Sequence, residues 1–326
     1  MKIASSRIKL FHEKQKLSGF DYEDELGVNL GLKYSPIKRV GFYAPGGKAL
    51  YPSSVLMNAI PALVAGVEER VLVSPINFEK NSEILLAAAY LAEVTEFYRM
   101  GGAHAIAALA FGTKDLKKVD KIVGPGNAYV AEAKRQLFGK VGIDSVAGPS
   151  EVLIVADNKN NPEWIAIDLL SQAEHDENAQ SILVTNDEKF AKHVENQIVK
   201  LLETLPRKQI ASRSWYNNGL ILIIEHISEC IDLINQIAPE HLELCIENPK
   251  LYLDDINNAG SIFLGSYTPE AIGDYIAGPN HVLPTEGTAR FSSGLGTNDY
   301  LRRTTFVQCN EHNLNTLDLL FLLHKN

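Results

Sequence analysis

The chain has 326 residues, 45% hydrophobic and 22% charged, a composition typical of one large or two medium globular domains with sizeable cores. Its formal net charge of -9 argues against a nucleic acid or an anionic membrane as partner, because no basic surplus offsets phosphate charge. The three cysteines are far apart, and no secretory signal or run of about 18 apolar residues occurs, so we expect a cytoplasmic protein that does not span a membrane.

From Arg39 onward, short apolar runs rich in β-branched residues alternate with longer runs of helical period. This alternation is typical of βαβ units and mostly parallel sheets, so the sequence predicts an α/β fold. The predicted strands are Val40–Ala44, Arg70–Val73, Lys121–Val123, Val152–Ala156, Ser181–Thr185, Leu220–Ile224 and Ser261–Leu264. The predicted helices are Tyr51–Gly66, Asn81–Val94, Ala103–Phe111, Ala128–Phe138, Pro162–Glu174, Glu188–Thr204, Ile227–Ile237 and Leu314–Leu323.

Two stretches interrupt this pattern. Ala147–Ser150 is followed at once by a new strand, so a domain boundary is expected close to it, with one α/β unit before and one after. The stretch Tyr267–Asn298 is rich in glycine and proline. A loop of this length inside a compact protein is more often a functional site than a connector.

Two glycine-rich turns each stand between a predicted strand and a predicted helix, at Ala44–Lys48 and Gly124–Asn127. Free backbone N–H groups and the helix dipole at such turns can hold a phosphate, and Asn127 is suited to capping the helix. Neither turn has the pattern G-x-G-x-x-G. Each turn alone favours a tight βα turn, but two such turns in one α/β unit bring a dinucleotide site to about equal weight, so both interpretations stay open.

Metal-capable side chains occur near the end of one predicted helix, where Gln172 and His175 share a face. Without other ligands, this pattern favours a surface helix end over a metal site. A set of glutamine, histidine and aspartate would differ from cysteine-rich structural zinc sites, and an incomplete protein shell would leave room for substrate on the metal.

A carboxylate and an imidazole are neighbours at Glu240 and His241, and the glycine-rich loop adds Asp274 and His281. Histidine beside an acid is the usual pairing for proton transfer near neutral pH. Such residues are also commonly structural, and spacing alone does not show that they converge. No G-x-S-x-G, H-E-x-x-H or P-loop motif is present, so hydrolase and kinase functions lack their usual anchors.

Seven segments together resemble the histidinol dehydrogenase family, in the family's order from about Lys38 to Arg303, and they are more specific than any single motif. They are Tyr43-Ala-Pro-Gly-Gly, Gly101-Gly-Ala, Val119-Asp-Lys-Ile-Val-Gly-Pro-Gly-Asn127, Ala147-Gly-Pro-Ser-Glu151, Ser171-Gln-Ala-Glu-His175, Ala238-Pro-Glu-His241 and Gly273-Asp-Tyr-Ile-Ala-Gly-Pro-Asn-His281.

The resemblance implies a zinc-bound homodimer that oxidises L-histidinol, or a similar amino alcohol, to L-histidine through histidinal in two NAD-dependent steps of histidine biosynthesis. By matching position, Gln172, His175 and Asp274 are the implied zinc ligands. His241 is the implied general base, and Glu240 is the implied carboxylate that activates water for the second oxidation.

The same resemblance implies further binding residues. Ser150 and His281 match substrate contacts, which join the zinc ligands and the two catalytic residues around the substrate. Tyr43 and Asn127 match contacts to NAD. His104 stands where the family usually has a glutamine that touches NAD, so cofactor affinity or choice is expected to differ.

The resemblance also implies a domain division. We expect an NAD-side Rossmann-like domain at residues 41–150 and a discontinuous Rossmann-like domain for zinc and substrate at residues 1–40 and 151–291. A C-terminal helical tail is expected at residues 292–326.

Compared with the family, the chain is expected to be shortened at both termini. Family members end in a helical segment that reaches the partner's site with a glutamate and, five residues later, a zinc-binding histidine. Here His324 could be that histidine, but Leu319 stands five residues before it. The alternative is therefore a non-catalytic or altered-substrate relative that keeps the fold and NAD binding.

Overall fold

The computed structural model describes residues 1–46, 51–76, 82–146 and 148–323, with the side chains of the last helix described to residue 318. Two five-stranded parallel sheets, each with helices packed on both faces, make up most of this part of the chain. The predicted α/β fold is therefore confirmed. A three-stranded antiparallel sheet accompanies them.

The chain begins with helix α1 (Lys2–Glu13) and the antiparallel strands β1 (Phe20–Glu23) and β2 (Asn29–Pro36). None of these three elements was predicted from the sequence. Helix α1 packs against helix α2 of the first parallel sheet, with Ile8 buried in the same core cluster.

The first parallel sheet has the strand order β5-β4-β3-β6-β7. Its strands are β3 (Arg39–Tyr43), β4 (Glu69–Val73), β5 (Glu96–Tyr98), β6 (Lys121–Val123) and β7 (Gly142–Ile143), and its helices are α2 (Pro52–Ala65), α3 (Glu83–Leu91), α4 (Gly102–Phe111) and α5 (Ala128–Leu137). Val40 and Phe42 face α2 and α3, whereas Val71 and Val73 face α4 and α5. The direction of winding reverses between β3 and β6, so the carboxyl ends of these two paired strands lie side by side.

The second parallel sheet repeats this order as β10-β9-β8-β11-β12. Its strands are β8 (Glu151–Ala156), β9 (Gln180–Thr185), β10 (Leu220–Ile223), β11 (His241–Cys245) and β12 (Ser261–Leu264), and its helices are α6 (Pro162–Ala173), α7 (Glu188–Leu202), α8 (Lys208–Asn218) and α9 (Cys230–Ile237). Strand β11 is buried along its whole length between β8 and β12. It was missed because His241 and Glu243 interrupt its apolar pattern.

Every predicted strand and helix corresponds to an observed element, and each strand agrees to within one residue at either end. Apolar side chains drive this agreement, because buried parallel strands read as short, continuous β-branched runs. The unpredicted elements are either short, as in β5 and β7, or rich in polar residues, as in α8 and β11.

The linking segment, residues 265–300, joins the two α/β units. It contains the short helix α10 (Glu270–Ile272), a π-helical turn at Gly273–Ala277 and two turns of 3-10 helix. Asn280 Nδ2 donates to the Met57 carbonyl oxygen at 2.7 Å, and the Tyr300 hydroxyl donates to the Asn58 carbonyl oxygen at 2.8 Å. The segment therefore ties the second unit to helix α2.

Strand β13 (Leu301–Gln308) follows the linking segment and pairs antiparallel with β2, so the small sheet has the order β1-β2-β13. This strand lies within the expected helical tail and was not predicted, because two arginines and two threonines leave it without an apolar run. Helix α11 (Glu311–Leu323) follows, as the sequence predicts.

Candidate active site

The centre of the candidate site is the imidazole of His241, which begins β11 at the amino edge of the second sheet and is 3% exposed. Its Nδ1 lies 3.0 Å from the Glu151 carbonyl oxygen, which can only accept, so Nδ1 carries the proton and donates. Its Nε2 lies 3.1 Å from Asp274 Oδ2. In the neutral ring Nε2 is therefore unprotonated, the form that accepts a proton or binds a metal.

Asp274 is carried by the π-helical turn of the linking segment, a local geometry that occurs frequently at functional sites. The preceding Gly273 packs so closely on Phe263 of β12 that an added Cβ would lie 2.0 Å from that ring. The Phe263 ring also stacks on His241, with centroids 6.0 Å apart and an interplanar angle of 27°. One aromatic side chain therefore supports both members of the His241–Asp274 contact.

A second acid, Glu240, lies beside the imidazole of His241. Its Oε2 accepts the Glu151 backbone N–H at 2.9 Å and lies 3.6 Å from His241 Nδ1. Burial raises the pKa of Glu240 to about 7, although the positive charge of His241 opposes this shift. A carboxyl group with a pKa near the working pH can both take and give a proton.

Gln172 and Glu270 complete the floor of the site. The Gln172 amide nitrogen donates to Glu270 Oε2 at 2.9 Å, and its amide oxygen accepts the Glu151 N–H at 3.0 Å. Burial raises the pKa of Glu270 to about 7, and the charge of His241 opposes this. Sequence reasoning missed Glu270, although its position one helical turn before Asp274 was an available signal.

His241, Glu270 and Asp274 are all buried, and their possible ligand atoms lie within 4.8 Å of one another. Burial opposes charge on the His241 ring, but the hydrogen bond to Asp274 and the charges of Glu240 and Glu270 outweigh it and raise the pKa of His241 to about 10. A histidine with this pKa is protonated at neutral pH and is not a base.

A divalent cation fits this arrangement. Three buried carboxyl groups surround one imidazole, so the cluster holds more potential negative charge than its single histidine can balance. The donors are oxygen and nitrogen atoms, which suit a cation such as zinc. A cation on Asp274 would also withdraw that carboxylate from His241 and so free Nε2 to accept a proton.

The predicted zinc ligands come from two parts of the fold. Helix α6 ends at Ala173, and the His175 N–H donates to the Gln172 carbonyl oxygen at 3.1 Å, so the chain turns directly after Gln172. The side chain of His175 is exposed and does not belong to the group of possible ligand atoms formed by His241, Glu270 and Asp274. Gln172 contacts that group through Glu270, whereas His175 lies outside it.

The predicted substrate contacts flank these groups. Ser150 is half-buried directly before β8, and its carbonyl oxygen accepts the Gln180 N–H at 3.0 Å. His281 lies in the linking segment, where its ring meets Tyr275 edge-on at a centroid distance of 5.8 Å. Burial lowers the pKa of His281, although the Asp274 charge opposes this, so the ring is neutral at pH 7.

The predicted NAD contacts lie at the carboxyl edge of the first sheet. Tyr43 ends β3, and its hydroxyl accepts the Gly102 N–H at 3.1 Å. His104 is exposed in the first turn of α4. Asn127 follows β6 and caps α5, with Oδ1 accepting the Val130 N–H at 3.2 Å. Strands β3 and β6 flank the reversal of strand order, where open α/β sheets bind ligands.

The turn after β6 is braced by a buried ion pair between Lys134 of α5 and Asp144, whose side chains are each 5% exposed. Lys134 Nζ also donates to the Gly124 carbonyl oxygen at 3.0 Å, and Asp144 Oδ2 accepts the Gly124 N–H at 2.8 Å. Gly124 has a φ of +116°, and an added Cβ would lie 2.2 Å from the Tyr43 carbonyl oxygen. This position therefore requires glycine.

Three residues of interest, Gly47 and Lys48 of the first glycine-rich turn and His324 of the tail, lie outside the described residues. Within the part of the chain that the structure describes, no helix is long and apolar enough to cross a membrane.

Residues 1–320 match the family model described as histidinol dehydrogenase. The chain is 57% identical over 311 residues to histidinol dehydrogenase 1 of Trichormus variabilis, which covers 95% of this chain and 72% of that protein. It is 56% identical over 316 residues to the histidinol dehydrogenase of Rhodospirillum rubrum, which covers 97% of this chain and 73% of that protein.

A solved structure of histidinol dehydrogenase from Elizabethkingia anophelis is similar with a TM-score of 0.92 and 42% identity, covering 97% of this chain and 73% of that one. An acetylating aldehyde dehydrogenase from Geobacillus thermoglucosidasius is similar with a TM-score of 0.61 and 12% identity, covering 94% of this chain and 82% of that one. The second likeness concerns the fold alone.

Proposed function

The chain belongs to the histidinol dehydrogenase family, and from this premise we propose that it oxidises L-histidinol, or a similar amino alcohol, to the amino acid through the aldehyde, as a step of histidine biosynthesis. The proposal rests on the orientation of the His241 ring. Its Nδ1 is held by a backbone carbonyl, so its Nε2 points into a buried cluster of acids. A cation on Asp274 would release Nε2 from that carboxylate, and the arrangement would then suit a general base for the hydroxyl proton.

In the first oxidation, His241 Nε2 takes the proton of the substrate hydroxyl. The Glu151 carbonyl oxygen keeps Nδ1–H in place, and Glu240, 3.6 Å from Nδ1, stabilises the imidazolium that forms. NAD, if bound, would supply the acceptor for the hydride that leaves the hydroxyl-bearing carbon in each of the two oxidations. The buried position of His241 keeps bulk water from competing for the proton.

In the second oxidation, Glu240 takes a proton from the water that attacks the aldehyde. Its pKa of about 7 gives it an ionised fraction at neutral pH, and the Glu151 N–H holds one of its oxygens.

We assign zinc to Gln172, His175 and Asp274, which supply one amide oxygen, one imidazole nitrogen and one carboxylate. Zinc held by these residues would serve to orient the imidazole and amine of the substrate and would withdraw the Asp274 charge from His241. Ser150 and His281 flank this position and are proposed to contact the substrate.

We assign NAD to the carboxyl edge of the first sheet, with contacts from Tyr43, His104 and Asn127. The support is the pair of adjacent carboxyl ends of β3 and β6, and the turn after β6 is braced by Lys134 and Asp144. We also propose a division into three parts. An NAD-side domain would comprise residues 41–150, a zinc and substrate domain residues 1–40 and 151–291, and a tail residues 292–326.

We further propose a cytoplasmic homodimer. The support is one face of the antiparallel sheet, where Phe20 lies on β1 two residues before Tyr22 and Tyr22 aligns across β2 with Val307 of β13. These side chains are 58%, 53% and 64% exposed, which leaves an apolar face for a second copy to cover.

The test is to incubate the purified protein with zinc, NAD and L-histidinol and to follow NADH absorbance. We expect two NADH for each L-histidinol consumed, because both oxidations take place in one site. NADH formation only from other amino alcohols would change the substrate. Calorimetric binding of NAD without turnover of any of them would instead support a non-catalytic relative that keeps the fold.

A further inference from the structure

Two acidic side chains lie behind the candidate active site, between β11 and α6, and the proposed mechanism leaves them without a role. Glu243 is fully buried and shares a face of β11 with His241, because side chains of a strand alternate. Asp168 forms a side-chain hydrogen bond with Glu243 and stands on α6 one helical turn before Gln172. Removing acidic side chains from water costs free energy unless each of them is hydrogen-bonded.

Burial perturbs both acids. It raises the pKa of Asp168 to about 6 and that of Glu243 well above its ordinary value, so each holds a proton more readily than an exposed carboxyl group. Glu243 also makes a contact outside the pair, because its Oε1 accepts the backbone N–H of Glu270 at 2.8 Å.

The Glu270 N–H is the first of helix α10, and the N-cap residue of that helix, Pro269, supplies no side-chain acceptor. The first N–H groups of a helix need an external acceptor, and burying one without a partner destabilises the fold. Glu243 supplies this acceptor from the neighbouring strand. The chain then continues directly into the π-helical turn that carries Asp274.

We propose that Glu243 is a positioning residue, which holds the segment Glu270–Ala277 from strand β11 and thereby sets Glu270 and Asp274 in the metal site. The zinc part of this inference rests on the proposed function. Glu270 in turn orients the Gln172 amide, so the single contact at Glu243 supports two of the three assigned ligands.

The experiment compares Glu243→Leu with Glu243→Gln in the full chain. Glutamine keeps an oxygen for the Glu270 N–H and an N–H for Asp168, whereas leucine has a similar size and neither group. The first readout is hydrogen exchange of the peptide covering residues 266–278 without metal. We expect exchange about tenfold faster or more in Glu243→Leu and unchanged in Glu243→Gln.

The second readout is zinc affinity, measured by competition with a chelator. Loss of a residue that orients metal ligands typically weakens binding about 10- to 100-fold, which we expect for Glu243→Leu and not for Glu243→Gln. Ser181→Ala is the matched control, because it removes a buried hydrogen bond to the Leu169 carbonyl oxygen of the same helix α6 without touching the segment.

Exchange in Glu243→Leu equal to that of the parent protein would overturn the inference, and so would equal damage in the leucine and glutamine variants. If the leucine variant does not fold, Glu243→Asp takes its place, because its shorter side chain withdraws the oxygen from the Glu270 N–H. Unchanged exchange in that variant would overturn the inference equally. A parent protein that binds no zinc would refute the metal assignment, while exchange would still decide the role of Glu243.

Discussion

Replacement of Lys134 by methionine is expected to destabilise the first parallel sheet and to weaken NAD binding together. Methionine keeps most of the side-chain length but leaves the Asp144 carboxylate buried without its cation. Both side chains are only 5% exposed, so solvent cannot replace the lost partner. Breaking such a buried pair costs about 3 to 5 kcal/mol, and the Gly124 carbonyl oxygen loses its donor as well.

The assay is calorimetric unfolding of three variants. Arg213→Met is the control, because Arg213 pairs with Glu177 at 66% and 49% exposure and such a surface pair contributes at most about 1 kcal/mol. The double variant Lys134→Met with Asp144→Leu should recover much of the stability, since no uncompensated charge is then buried.

The NAD part of this prediction follows from the position of Gly124, three residues before Asn127. If the ion pair braces the turn, Lys134→Met should weaken NAD binding at least about tenfold, or about 1.4 kcal/mol, by titration calorimetry. A loss of unfolding free energy similar to that of Arg213→Met would refute the argument from burial. Unchanged NAD affinity in a destabilised variant would remove this turn from the cofactor site.

Three further predictions concern other groups. His241→Ala should lower turnover about 10² to 10⁴-fold with an unchanged circular dichroism spectrum, since it removes the general base, and an unchanged rate would exclude that role. Asp274→Ala should lose bound zinc in metal analysis, whereas the exposed His193→Ala should retain it, and equal metal content would contradict the ligand set. The hydrogen bond from Arg39 holds the pKa of Glu96 at about 2, below its ordinary value of 4.5, so this contact stabilises the fold above about pH 4.5 and is lost as the pH falls towards 2. Melting temperatures measured between pH 5 and pH 3 should therefore fall less steeply in Glu96→Gln than in the parent protein, and parallel slopes would count against the pair.

The alternation of apolar strands and helices was sufficient to predict the fold class, because burial between helices requires continuous apolar strands. For the same reason β11 was missed. His241 and Glu243 point into a polar layer against α6, and they interrupt the apolar run of this strand. Strand β13 was hidden for a different reason. Its side chains are mostly exposed, and its partner β2 lies at the other end of the sequence, where no local pattern indicates the pairing.

The candidate site was predictable only in part. Spacing put Gln172 and His175 on one helix end and Glu240 beside His241, but it could not show that Asp274 approaches them, which depends on the course of the linking segment. Only the resemblance to the histidinol dehydrogenase family indicated that these residues belong to one site. Glu243 was missed because its importance depends on one contact between its side chain and the backbone of α10, which has no signature in sequence. Glu270 was missed although it lies one helical turn before Asp274.

The pairing of β2 with β13 has a consequence for synthesis of the protein on the ribosome. Leu301 pairs with Pro36, and Gln308 pairs with Asn29. The backbone groups on one edge of β2 therefore have to wait for their partners until a strand synthesised much later is available. At about 5 to 20 residues per second, this wait lasts on the order of 15 to 50 s. During that interval β2 exposes unpaired backbone groups beside Phe20 and Tyr22, the conditions under which strands of separate nascent chains associate. The delay, rather than the stability of the finished sheet, therefore sets the period in which the growing chain is most prone to aggregate.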